Sequence, residues 1–322
     1  MTTLHENEVP VDEAALRRLL RAQRPEWAEL PLAPAGSGTD NRMFRLGAEL
    51  LVRLPRTAEN AEAVRKEQTW LPRLGPALPF AVPEPVHEGV PDEAFPLAWS
   101  VYRWIEGGTP GPGSVRDWAA FGAELAAAVR ALHALPLPAE DERAGLSWYR
   151  GGELAPCDDW VGREFAAVRA AERGAAPGRD RGRDLDLDLD RLHGWWREAL
   201  RLPAPTGPPV WLHGDLKPSN LLVRDGALHA VIDFGGLSIG FPDAEHAPVW
   251  DLPAPARRAY WAAAEPAEET RLRARAWAIA VGVAGLSYYR ERDPVFAAEC
   301  RTRLLAVLAD GEEGVPTHTP TH

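Results

Sequence analysis

The chain has 322 residues, of which 45% are hydrophobic, 26% charged and 8% aromatic, and a formal net charge of −11. This is the composition of a globular protein with room for two domains, and an acidic chain without a basic stripe argues against nucleic acid or an anionic membrane as partner. Cys157 and Cys300 cannot build a disulfide framework, and with neither a basic-then-apolar leader nor a run of about 18 apolar residues the expected location is cytoplasmic.

"VDEAALRRLLRAQ" (11–23) has helical periodicity. "LPLAPAGSGTDNRMFRLGAELLVRLPR" (30–56) reads as three short strands, with a glycine-containing turn at 36–41 and a tight turn at Gly47–Ala48. A helix follows over 58–74, and two further strands fall in "FAVPEPVHEG" and "PLAWSVYRWIEGG". Pro and Gly then crowd the stretch "GGTPGPGS", so a hinge is expected at about 99–107, dividing a lobe of residues 1–106 from one of 107–311. Residues 1–107 carry a net charge of −4 and residues 108–322 one of −7. Beyond Ser114, a candidate N-cap with Asp117 three residues on, the pattern is helical, with Trp118, Phe121, Leu125, Val129 and Leu132 in one stripe. A polar passage (172–184) precedes "DLDLDLDRLHGWWREALRL", whose aspartates are expected at a helix N-terminus. A β-hairpin turning at Asp225–Gly226 and three helices over 255–309 complete the chain, with a disordered tail expected over 312–322. The lobes therefore differ, mostly β and then mostly α, and the fold class is α+β.

"VWLHGDLKPSNLLV" (210–223) carries one of only two lysines in the chain, against 34 arginines. Asp215 and Asn220 have the D-x-x-x-x-N spacing of a kinase catalytic loop, in which the aspartate accepts the proton of the acceptor hydroxyl and the asparagine holds Mg²⁺. Asp233 follows thirteen residues later in "VIDFGG", an apolar strand that delivers a carboxylate at a glycine turn. Asn220 and Asp233 supply hard oxygen donors of the kind Mg²⁺ takes alongside phosphates. The hairpin between them brings both to one end. His213 is read as locking the loop through backbone hydrogen bonds.

These motifs, with "GSGTDNRMFRL", "LLVRLPR", "RKEQTWLPRL", "FPLAWSVYRWIEG" and "RARAWAIA", make the chain resemble the aminoglycoside phosphotransferase family over nearly its whole length. The resemblance implies a bilobal, protein-kinase-like fold with a small β-rich N-terminal lobe and a larger, mainly helical C-terminal lobe. It implies transfer of the terminal phosphate of ATP, occasionally GTP, to a hydroxyl of an antibiotic or metabolite. Carried over residue by residue, Asp215 is the catalytic aspartate, and Asn220 and Asp233 are the Mg²⁺ ligands. Lys217 neutralises charge on the transferring phosphoryl group. Arg53 takes the place of the phosphate-binding basic residue, with Glu67, or in competition Glu62, as its ion-pair partner. Ser37, Gly38 and Thr39 lie over the phosphates, and the adenine meets backbone around Ser100, Tyr102 and Trp104.

The chain departs from the family after its D-F-G, where "GFPDAEHAP" (240–248) puts Phe241 and Glu245 in place of two aspartates. The second of these resembles a brace for the catalytic loop, and a glutamate can accept the same hydrogen bonds.

The acceptor expected from the resemblance is an aminoglycoside-type antibiotic, its ammonium groups met by Asp158, Asp159, Asp243, Glu245 and Asp251. The alternatives are a macrolide or peptide antibiotic, or an amino-alcohol or sugar metabolite, in a site lined by tryptophans drawn from positions 148, 160, 195, 196 and 250. A rival of another class, supported only by the Glu245 substitution, is a pseudokinase that binds nucleotide without turnover. A regulatory protein kinase is disfavoured by the lack of G-x-G-x-x-G-x-V, V-A-I-K, H-R-D and A-P-E segments. The protein is expected to act as a monomer or homodimer on nucleotide and a small molecule.

Overall fold

Asp12 opens the first helix, α1 (Glu13–Gln23), by accepting the Ala15 N–H at 2.7 Å, which satisfies one of the donors that a helix start leaves without a partner. The structure, a computed structural model, describes residues 7–38, 40–174 and 187–313. Leu16, Leu19 and Leu20 are fully buried in one core with Leu46, Val52, Leu54 and Val101. The last four belong to an antiparallel sheet of β1 (Leu32–Ser37), β2 (Asn41–Leu46), β3 (Leu50–Pro55), β4 (Pro85–Gly89) and β5 (Trp99–Arg103), in spatial order β1-β2-β3-β5-β4. The β2–β3 turn has Gly47 at φ 61°, a left-handed backbone that glycine adopts without strain. Between β3 and β4 runs α2 (Ala58–Leu74), which buries Val64, Glu67, Trp70, Leu71 and Leu74. The buried glutamate on that face bears on the site.

The chain folds into two compact units. One comprises residues up to Arg116, with Ala134–Leu146 and Ser219–Leu237, and the other Asp117–His133, Ser147–Pro218 and the residues from Ser238 on. The sequence reading gave everything after residue 107 to the second lobe, whereas the hairpin of β7 (Leu221–Arg224) and β8 (Ala227–Val231) joins the first unit. Its backbone explains why. Gly108 and Val223 exchange N–H···O bonds of 3.0 and 2.7 Å, Val231 donates to the Ala81 carbonyl at 3.0 Å, and Arg116 donates to the Gly226 carbonyl at 3.0 Å. Asp225 and Gly226, at φ 53° and 82°, form the expected turn.

In the second unit, α3 (Trp118–His133) begins later than expected. Asp117, not Ser114, caps it, accepting the N–H groups of Ala119 and Ala120 at 2.8 and 3.3 Å. Ser114 instead accepts the Gly111 N–H within a turn. Helix α3 packs on α6 (Ala254–Ala264) so closely that a Cβ on Gly122 would lie 2.0 Å from the Ala256 carbonyl oxygen. The remaining helices are α4 (Asp158–Gly174), α5 (Leu189–Ala199), α7 (Glu268–Tyr289) and α8 (Pro294–Glu313). Helix α7 is buried on most sides, with Trp277 at its centre. Asp188 caps α5 by accepting the Arg191 N–H, as the acidic run suggested, while Asp184 and Asp186 lie outside the described residues. Helix α8 continues to Glu313 and takes up the start of the expected tail, and residues 314–322 lie outside the described residues. Short strands β6 (Val210–Leu212) and β9 (Ser238–Gly240) pair antiparallel and deliver the chain into the loop that starts at His213.

Candidate active site

In the first unit the chemistry gathers on one arginine. β3 pairs Arg53 with Ser100 of β5, and the Arg53 side chain is nearly buried. Its Nη1 donates to both oxygens of Glu67 at 3.0 Å, and Nη2 donates to Oδ1 of Asp233. The Glu62–Glu67 ambiguity is thereby settled, because Glu67 lies on the buried face of α2. Tyr102 donates its hydroxyl to Glu67 Oε2. Burial opposes the charge of Arg53, but Glu67 and Asp233 outweigh it and hold the guanidinium above its ordinary value; burial and then Glu67 push the Tyr102 hydroxyl up.

Asp233 sits just beyond β8 with φ 66°, a left-handed conformation that turns its carboxylate away from the strand direction. Its side chain is 37% exposed. Asn220 sits just before β7, and its carbonyl accepts the Ile232 N–H at 2.9 Å, so the hairpin ladder holds both residues at one end, as expected. A carboxylate and an amide oxygen suit a hard cation that draws its other ligands from phosphates and water. No group of three or more His, Cys, Asp or Glu arranged to hold an ion occurs among the described residues. Donors of this number fit Mg²⁺ carried in with a nucleotide better than a resident metal cage.

The chain's other lysine, which the sequence reading passed over, also belongs here. Lys66 Nζ donates to the Gly235 carbonyl at 3.1 Å, tying α2 to the turn after Asp233. Both lysines of an arginine-dominated chain thus bear on the motif loops, Lys217 from within one and Lys66 from α2, and that rarity was the signal. Of the expected phosphate-covering residues, Gly38 accepts from Arg56 through its carbonyl, and Thr39 lies outside the described residues. Ser37 ends β1. Around the residues expected to meet the adenine, several polar groups are engaged within the unit. The N–H groups of Arg103 and Trp104 are taken by the carbonyls of Glu84 and Glu49, Ser100 Oγ accepts from Gln68, and the Tyr102 hydroxyl is spent on Glu67. An interior strand has its backbone used by both neighbours.

In the second unit the chemistry gathers on one carboxylate. Arg150 Nη1 donates to Asp215 Oδ1 at 2.9 Å and to the Gly214 carbonyl at 2.8 Å, and Lys217 Nζ lies 3.0 Å from Asp215 Oδ2. Burial alone would raise the Asp215 carboxyl, but Lys217 and then Arg150 hold it well below the usual carboxylate range. The loop is fixed from behind. Glu245 accepts the His213 and Gly214 N–H groups at 2.8 and 3.0 Å, and His213 Nδ1 accepts the Asp215 N–H at 3.2 Å. Gly214 at φ 84° makes that path accessible. The fully buried His213 therefore serves the backbone as read from the sequence, and Glu245 reaches the loop despite its extra methylene. Arg150 was missed, since nothing in "SWYRGGE" marks it and its partner is 65 residues away.

The carboxylates expected to receive an acceptor are mostly spent. Asp243 is 2% exposed and pairs with Arg273 at 2.8 Å, and Glu245 is 3% exposed and holds the loop. Asp251 makes a bidentate pair with Arg303, and Asp158 accepts the Trp196 indole N–H at 2.8 Å. Only Asp159 of the five is exposed with no such partner described. The tryptophans divide similarly. Trp196 and Trp250 are core, and Trp195 packs against Arg191 and Arg275. Trp148 and Trp160 lie against Tyr149, next to Arg150.

Comparison with known proteins gives these features a family. A structure of the GDP and kanamycin complex of APH(2″)-IIIa is similar to the chain with TM-score 0.68 and 20% identity, covering 92% of this chain and 99% of that one. A macrolide 2′-phosphotransferase type I is similar with TM-score 0.59 and 21% identity, over 92% and 98% of the two chains. The streptomycin–ATP complex of APH(2″)-IIa gives TM-score 0.58 and 15% identity, over 92% and 97%. At these identities the likeness shows a shared fold, the α+β architecture of these kinase-like enzymes. A sequence comparison with curated proteins gives no significant match. The sequence model of the phosphotransferase enzyme family matches residues 31–277. That span runs from β1 into α7 and takes in Arg53, Asp215, Asn220 and Asp233, and the chain belongs to the phosphotransferase enzyme family, an enzyme that transfers phosphate to a hydroxyl.

Proposed function

We infer that the protein moves the γ-phosphate of ATP, with GTP as the alternative donor, to a hydroxyl of a small molecule, with Asp215 receiving or orienting the hydroxyl proton. The observation that carries this reading is the state of Asp215. Its carboxylate stands in a loop fixed by Glu245, Arg150 and His213 and remains ionised under two cations. An aspartate so held is a weak base and a good orienter. Its main contribution is to aim the hydroxyl, and proton transfer is completed late, as suits a loose phosphoryl transition state. Lys217, already beside Asp215, is placed to offset charge on the transferring group.

Arg53 and its partners hold the nucleotide phosphates in the first unit, as the GDP- and ATP-bound relatives favour. Mg²⁺, when bound with the nucleotide, offsets phosphate charge, and Asn220 and Asp233 are the residues that would hold it. Because one Asp233 oxygen is paired with Arg53, nucleotide entry redistributes that guanidinium between carboxylate and phosphate. The pseudokinase alternative rested on the Glu245 substitution, and Glu245 makes both bonds a loop brace needs.

The reading is tested by Mg²⁺-dependent phosphate transfer from ATP to a panel of hydroxyl compounds, followed by mass spectrometry of the acceptor. Asp215-dependent product supports it, and a protein that binds nucleotide but phosphorylates nothing, or forms product at a rate indifferent to Asp215→Ala, refutes it. For the metal, calorimetry with Asp233→Asn should show nucleotide affinity reduced about tenfold or more with Mg²⁺ and little without it. Equal losses in both conditions would make Asp233 structural only.

A further inference from the structure

Four large hydrophobic side chains are exposed among the described residues, and three of them lie in the second unit: Tyr149 at 42%, Tyr288 at 42% and Val295 at 72%. They are not scattered. Tyr149 packs edge-on against Trp148 and Trp160, with centroids 5.1 and 5.9 Å away, and its hydroxyl accepts from Arg150 Nε at 3.0 Å. The same guanidinium pairs with Asp215. Tyr288 packs on Tyr289, Tyr289 on Phe296, each at 4.8 Å, and Lys217 Nζ stands 5.4 Å from the Phe296 ring. That ammonium holds the other oxygen of Asp215. Two aromatic clusters with exposed rings are therefore each joined by one cation to the reacting carboxylate.

The anions around the same carboxylate are accounted for differently. Asp251 is neutralised by Arg303, and Asp293 accepts the Val295 and Phe296 N–H groups as the cap of α8. Glu299 on α8 also senses Lys217, and its carboxyl is pushed up by partial burial and by Asp251. A polyammonium sugar needs several unspent carboxylates around its hydroxyl. Glu299 and the exposed Asp159, beside Trp160 on α4, are such carboxylates, whereas two cations stand at the point of reaction itself. Apolar walls with a few fixed polar groups are what a ring compound of low charge requires, and exposed aromatic area beside a reacting group is the feature a soluble surface otherwise suppresses.

We propose that the acceptor is an uncharged, hydroxyl-bearing ring compound with an apolar face, seated against the Tyr149 and Tyr288–Phe296 clusters, and not a polyammonium sugar. The assignment rests on the phosphotransferase reading for the role of Asp215, and its test is separable from that reading. Phenyl β-D-glucoside, a neutral probe, and kanamycin, a polyammonium one, are titrated separately and in competition against the full-length, ATP-analogue-saturated protein by calorimetry and saturation-transfer NMR. The glucoside should bind at millimolar concentration or better, with an affinity that high salt leaves unchanged. Tyr149→Ala and Tyr288→Ala should each weaken it by up to about tenfold, the worth of one ring contact. Glu299→Gln should not affect it, and the analogue affinity should stay constant as a control for folding. Failure of the glucoside to bind overturns the proposal. So does kanamycin binding that displaces it, weakens with salt and with Glu299→Gln, and ignores Tyr149→Ala. If the glucoside binds as expected but no hydroxyl compound is phosphorylated in an Asp215-dependent way, the acceptor surface stands and the phosphotransfer reading fails. Asp215-dependent phosphorylation of kanamycin would do the reverse.

Discussion

The two units solve opposite electrostatic problems with the same kinds of group. In the first, one cation, Arg53, is shared by two carboxylates, Glu67 and Asp233; in the second, one carboxylate, Asp215, is shared by two cations, Arg150 and Lys217. Taking these side chains alone, the first cluster carries one excess negative charge and the second one excess positive charge. An excess of negative charge suits a metal ion arriving with phosphates. An excess of positive charge suits a transferring phosphoryl group, whose equatorial oxygens carry the charge to be offset. The difference teaches that the roles follow from which group is in the minority. The minority group of each cluster should therefore be the one whose loss matters most.

Removing the minority group of the second unit is the severest test. Asp215→Ala should lower turnover by about 10²–10⁴-fold while nucleotide affinity, resting on the other cluster, survives. Turnover near wild type would dissolve the comparison. Next in size is the minority group of the first unit. Arg53→Met leaves Glu67, 2% exposed, and Asp233 without their cation. Stripping one partner from a buried pair costs about 3–5 kcal/mol, so chemical denaturation should show a loss of that order together with weakened nucleotide binding. A variant as stable as wild type would show that Glu67 is satisfied by Tyr102 alone.

Glu245 sharpens the comparison without touching either minority group. It accepts two backbone N–H groups of the catalytic loop, and Glu245→Gln replaces one accepting oxygen by a donor. One buried N–H is left unpaired, at a cost of about 1–3 kcal/mol. Turnover should fall while nucleotide affinity holds, and Glu245→Asp should recover part of the loss. An unchanged kcat in Glu245→Gln would mean the loop keeps its path without this brace.

How much of this was legible beforehand follows from distance along the chain. The five-stranded sheet, α2, the β7–β8 hairpin and the Asp215–Asn220–Asp233 loops were readable because period, turn residues and spacing are local properties. Arg53 and Glu67 needed the family resemblance, and the choice of Glu67 over Glu62 needed the buried face of α2. Arg150 was not readable, because its meaning lies in a contact 65 residues away. The pairing of the acceptor carboxylates was not legible either: Asp243 and Asp251 are acidic in sequence but paired in space with Arg273 and Arg303. The attachment of the hairpin to the first unit was hidden for the same reason. It depends on backbone bonds to Ala81 and Gly108, which carry no side-chain signature.

The smallest expected effect concerns pH and tests whether the second cluster is held together by charge. Asp215 ionises at lower pH in the folded chain than in the unfolded one, because Lys217 and Arg150 outweigh its burial. A depressed carboxyl contributes stability that is full above its unfolded value, about 3.9, and is lost as pH falls below that toward the folded value. Lys217→Met removes one of the two cations, so the stability difference from wild type should be present at neutral pH and shrink below about pH 4. The Asp215 side chain is 31% exposed, so water and salt screen the pair, and the neutral-pH difference should be at most about 1 kcal/mol. Urea denaturation of both proteins at neutral pH and at about pH 3.5, each at low and high salt, reads it directly. A difference that stays constant across pH and salt would place the contribution of Lys217 in its packing on Phe296 and leave Arg150 as the cation that holds Asp215.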